Sequence, residues 1–86
     1  DLNAMLFIIG MNEVGVVKEV WEKEEKQNLM HVAICKLLSA DGYFKFIGED
    51  EEGWPHYEAI KEKPELNLKE QEVLLKRKIV EYFESL

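Results

Sequence analysis

Threonine is absent from the chain, serine occurs only at Ser39 and Ser85, and arginine only at Arg77. These are side chains that commonly hold phosphates and bases. A formal net charge of −7 also removes the attraction for a polyanion that lysine and arginine supply. Nucleic acid is therefore not an expected partner. Cysteine occurs once, at Cys35, so no disulfide framework can form within the chain, and a reducing, cytoplasmic setting is the default expectation. Long apolar runs are missing as well. The longest, Ala4 to Ile9, is six residues, against the ~20 of a membrane-spanning helix, and neither a cationic leader nor a cleavage-site pattern is read. No membrane partner and no cofactor are expected.

What the chain does contain suffices for a core. A hydrophobic fraction of 47% and a charged fraction of 34% fit a globular protein. Residues 1–86 are read as one small domain, which buries roughly 60–65% of its unfolded surface. Its centre is the stretch Leu29–Leu38. Leu29, Met30, Ala33, Ile34, Leu37 and Leu38 keep the spacing of one helix face, Val32 and Cys35 add apolar groups outside it, and only His31 and Lys36 interrupt. Such a helix is buried on most sides. It needs cover from both terminal segments and from the aromatic run Tyr43–Ile47.

Taken in order, Leu2, Met5, Leu6 and Ile9 follow helical spacing behind Asp1 as N-cap, which predicts a helix over about residues 2–13. A buried strand at Ala4–Ile9 is the competing assignment, and Gly10 and Gly15 loosen the element's end. Trp21 is expected to fold back onto the first turn of a central helix running from near Glu22 to near Ser39, with Glu22 and Lys26 at the favourable i, i+4 spacing. Asp41-Gly42 stops it. Tyr43–Ile47 then reads as a strand, Asp50-Glu51-Glu52-Gly53 as a type I turn closed by a left-handed glycine, and Trp54–Ile60 as the returning strand. Phe44, Phe46 and Ile60 are expected to face the central helix. After Pro64, Asn67 and Glu70 form a capping-box variant that starts a helix over about 68–84. Leu68, Leu75, Ile79, Tyr82, Phe83 and Leu86 make its main stripe, and Lys76-Arg77-Lys78 reads as a solvated face.

Few residues carry chemistry. His31 and Cys35 stand four apart on the central helix with His56 at the hairpin, and imidazole and thiolate are zinc ligands. A buried cysteine beside a hydrogen-bonded histidine is the simpler account. Glu49-Asp50-Glu51-Glu52 lacks the length and spacing of a calcium loop, so a solvated turn that protects the hairpin edge explains it better. Cys35 and His31 have no evident third member or oxyanion donor, so no catalytic residue is assigned. Trp54, Pro55, His56 and Tyr57 are the candidate partner-binding residues, because tryptophan and tyrosine anchor protein interfaces. Core packing of Trp54 is the alternative.

The order of helix, glycine, Tyr43–Ile47, acidic turn, return strand and helix is similar to the recognition-helix-plus-wing region of winged-helix regulators, over about residues 28–86. Such a family implies DNA contact, yet the wing tip here carries four acids and no arginine. Separately, Lys26-Gln27-Asn28-Leu29-Met30-His31 and Asp50-Glu51-Glu52-Gly53-Trp54-Pro55-His56 resemble segments of short conserved hypothetical bacterial proteins, a likeness that brings no activity with it. The expected fold is α+β, three helices with a two-stranded antiparallel hairpin between the second and third (α-α-β-β-α). The expected function is a non-enzymatic protein–protein interaction module, partnered by itself as a homodimer or by another protein. An acidic winged-helix-type regulator or accessory protein and a small metal-binding protein using His31, Cys35 and His56 are the alternatives. Phe7, Ile8, Val32, Val73 and Val80 lie off the main stripes of their helices and motivate the homodimer.

Overall fold

The computed structural model describes residues 1–86. Helix α1 spans Leu2–Val14, α2 Lys23–Ser39 and α3 Leu68–Glu84, and strands β1 (Phe44–Glu49) and β2 (Pro55–Ala59) form an antiparallel hairpin between α2 and α3. The order α-α-β-β-α is the one expected. Each helix begins where its side chains satisfy free amides. Asp1 Oδ1 accepts from the Ala4 amide at 2.9 Å. Glu22 and Glu25 form one capping box, and Asn67 and Glu70 form another. The segment Ala4–Ile9 is helix rather than strand, because Leu6 and Ile9 at i, i+3 bury on α2 while the cap holds the first turn.

The core joins Leu6 and Ile9 of α1, Ala33 and Leu37 of α2, and Ile79 and Tyr82 of α3. Truncating a side chain as enclosed as Ile9 or Leu29 typically costs 2–5 kcal/mol, because the surroundings collapse only partly. Gly10 does not loosen α1. It is buried where α1 crosses α2, and a Cβ there would stand 2.3 Å from the Leu29 carbonyl oxygen. Only glycine permits this approach.

Two polar contacts pin the helices. The Tyr82 hydroxyl donates to Glu13 Oε2 at 2.6 Å and accepts from Asn12 Nδ2 at 2.6 Å. Lys78 departs from the expected solvated face: it is 6% exposed, with its ammonium 2.7 Å from Asp41 and 3.4 Å from Glu81. It projects toward the turn after α2, where Asp41 offers a partner that spacing along α3 alone does not reveal. The hydrogen bond that the ammonium donates to Asp41, more than burial opposes it, raises its pKa.

The hairpin carries the largest departures. Phe44 pairs with Ala59 and Phe46 with Tyr57, but beyond Phe46 the register shifts so that Gly48 faces His56. The extra residue bends the strand. Phe44 is half-buried, whereas Phe46 is 51% and Ile60 58% exposed. Phe46 and Ile60 border a gap beside Lys36 instead of filling the core. Leu68 and Phe83 of α3, and Leu86 beyond its end, are exposed, since only Ile79, Tyr82 and partly Leu75 reach the α1–α2 pair. Val32, one of the apolar residues thought surplus, is buried, and Phe7 meets Trp21 edge to face at 5.9 Å. Ile8, Val73 and Val80 stay exposed.

Candidate functional site

A cleft of about 670 Å³ opens between α2, the 15–22 connection and the hairpin, within the size range of ligand-binding clefts. Glu25, Asn28, Val32 and Cys35 line it from α2. Their spacing of three, four and three residues keeps them on one helix face. Along the connection, Lys18 Nζ meets Glu25 Oε2 at 2.6 Å and lies 5.0 Å over the Trp21 ring. That hydrogen bond, with the Glu22 amide, holds the Glu25 carboxyl below its usual value. Trp21 is buried and lines the cleft, and its indole N–H has no acceptor.

The hairpin side is shaped by one aspartate. Asp50 Oδ1 accepts from the amides of Glu52 (2.9 Å) and Trp54 (3.0 Å), and Oδ2 pairs with His56 Nε2 at 2.9 Å. These contacts, His56 first, hold the Asp50 carboxyl below its ordinary range. The Gly53 amide donates to the Asp50 carbonyl at 3.0 Å, and Gly53 sits at φ 88, the left-handed residue that the turn pattern requires. The turn therefore fixes Trp54 and His56 at the mouth of the cleft, with Phe44, Pro55 and Tyr57 beside them. Burial, then the charge of Glu13, pushes the Tyr57 phenol up to about 12.

All the residues singled out from the sequence, His31, Cys35, Trp54, Pro55, His56 and Tyr57, line this one cleft. They do not form a metal centre there. No three His, Cys, Asp or Glu side chains are grouped so as to hold one ion. His31 Nε2 lies 3.6 Å from Cys35 Sγ, and burial pushes the Cys35 thiol up. Nucleophiles and metal ligands are thiolates, so this pair is a thiol–imidazole contact with neither chemistry activated. Trp21, Glu25 and Asn28 were not foreseen as lining residues. Their helical phase with Cys35 was legible, but the path of the 15–22 connection was not.

No helix is long and apolar enough to cross a membrane. Comparison with protein-family models, with curated proteins and with solved structures finds no match to this chain.

Proposed function

We propose that the chain is a non-enzymatic protein–protein interaction module that works as a homodimer in the cytoplasm. The supporting observation is surface area. The chain exposes 6226 Å², whereas a folded monomer of 10.1 kDa is expected to expose roughly 5,300 Å². The excess of about 900 Å² is close to the ~800 Å² that each partner contributes to a standard interface. Part of that surface is apolar and lies on ordered elements, including Val73 (62% exposed) and Val80 (56%) on α3. The cytoplasmic setting rests on Cys35, the sole cysteine, kept as a buried free thiol.

Light scattering behind a sizing column tests the homodimer over roughly a hundredfold range of concentration. A mass near twice 10.1 kDa is expected throughout. A mass near 10.1 kDa at every concentration overturns it.

A further inference from the structure

We propose that the pocket between α2, α3 and the connection from β2 to α3 binds a free medium-chain carboxylic acid, its tail among apolar side chains and its carboxylate against Lys63. Nothing in this depends on the homodimer. The pocket has a volume of about 210 Å³. Ile34 and Leu38 of α2, Leu74 and Leu75 of α3, and Pro64 and Leu66 of the connection line it. Of these only Leu38 is buried, and the others keep part of their apolar surface in contact with solvent. A tail that covers that surface gains about fourfold in affinity for each methylene it buries. An apolar cavity of about 150 Å³ takes one six-carbon ring, so at the same packing this pocket holds a tail of about eight carbons.

The charges around the pocket select an anion. Lys63 is the one charged side chain that lines it, and it makes no ion pair within the chain. An adjoining hollow shares Tyr43, Pro64, Leu66 and Leu74 with the pocket and adds Asp41, Lys69, Glu70 and Arg77. Asp41 is held by Lys78, and the Glu70 carboxylate accepts from the Asn67 amide in the capping box. The charges left free are therefore the cations Lys63, Lys69 and Arg77, in a chain whose net charge is −7. Lys61 stands beside them. Its ammonium lies 4.4 Å over the Tyr43 ring, and that of Lys63 lies 5.3 Å over the Phe44 ring. An aliphatic acid, ionised at neutral pH as a glutamate is, brings the carboxylate that these lysines lack.

The connection can give way to admit such a ligand. Lys61 to Glu65 make no hydrogen bond, and between Ile60 and Asn67 only the Leu66 carbonyl is held, accepting from Gln71 Nε2 at 2.9 Å. A segment with so few hydrogen bonds opens at little cost.

Calorimetric titration of the whole chain with the sodium salts of unbranched acids from four to twelve carbons, each below its micelle concentration, tests it. Affinity is expected to rise about fourfold per carbon and to level off near eight, where the pocket is full. Lys63→Gln, at an exposed position, is expected to weaken octanoate by up to about fivefold and to leave 1-octanol unchanged. Leu74→Trp fills the pocket and is expected to abolish binding of both while circular dichroism stays that of the parent. Heats that show no binding of octanoate overturn the proposal, and so does an affinity that climbs through twelve carbons without a break. Equal loss of octanoate and octanol in Lys63→Gln overturns the role of the cation. A chain that sediments with phosphatidylglycerol vesicles and gives no saturable response to octanoate assigns these cations to a lipid surface and overturns the proposal as well.

Discussion

Replacing Gly10 by alanine opposes two effects whose sizes are known separately. Alanine in place of glycine inside a helix gains about 1 kcal/mol through the reduced entropy of the unfolded chain. At Gly10 the added Cβ would stand 2.3 Å from the Leu29 carbonyl oxygen and 2.7 Å from its carbon. These are backbone atoms, which cannot turn aside as a flexible side chain does. Ordinary contacts lie at about 3.5 Å, so α1 and α2 must part by roughly 1 Å, a gap that forfeits up to about half of the dispersion energy across the crossing. Overpacking of this kind costs about 1–3 kcal/mol, and with an unyielding backbone the upper end applies. The expected net is a loss of about 2 kcal/mol, or about 8–16 °C in Tm for a domain of this size. Urea unfolding followed by far-UV circular dichroism, with parent and variant at the same protein concentration, measures it. A Gly10→Ala chain that is as stable as the parent, or more so, refutes the close crossing.

Asp41→Ala leaves the buried Lys78 ammonium with Glu81 alone, and a loss of about 1–3 kcal/mol is expected. Adding Lys78→Met to that background restores most of it, since a buried apolar side chain needs no partner; urea midpoints of the two variants decide. The Lys78 pair stabilises fully below the ordinary lysine value of 10.5, and its contribution is lost only as pH rises past the raised value. For the phenols the window is different. Tyr57 and Tyr82 are pushed from 10.0 to about 12, chiefly by burial and, for Tyr82, by the hydrogen bond to Glu13. The unfolded chain therefore releases these protons first, and stability falls as pH climbs from 10.0 towards about 12. Urea midpoints across that range are expected to decline less steeply in Tyr82→Phe than in the parent; equal slopes would show that Tyr82 is not held neutral by the fold.

The elements were legible because their signals are local. Asp1, the Glu22–Glu25 pair and Asn67–Glu70 act within one helical turn, and Asp50 to Gly53 closes a turn with its own backbone. Each acts on groups within four residues, so the sequence carries it without knowledge of the rest. The failures share the opposite property. Lys78 looked solvated because its partner, Asp41, lies 37 residues away. Gly10 looked like a weak point because the carbonyl that excludes a side chain belongs to another helix. Phe46 and Ile60 looked buried because alternation shows which residues share a face of the hairpin but not how much of that face the helices cover.

The candidate site divides along the same line. Its residue types were found, since histidine, cysteine and tryptophan are few and therefore conspicuous, but their chemistry was set by distances that spacing cannot supply. His31 and Cys35 do meet, as i, i+4 geometry requires, and burial then keeps the thiol protonated. His56 joins the same cleft but pairs with Asp50, whose other oxygen holds the turn. An imidazole engaged in fixing a turn serves the shape of the cleft mouth. Within the chain, α3 keeps more apolar surface than the α1–α2 pair covers, and Glu49, Glu51 and Glu52 of the hairpin make no ion pair.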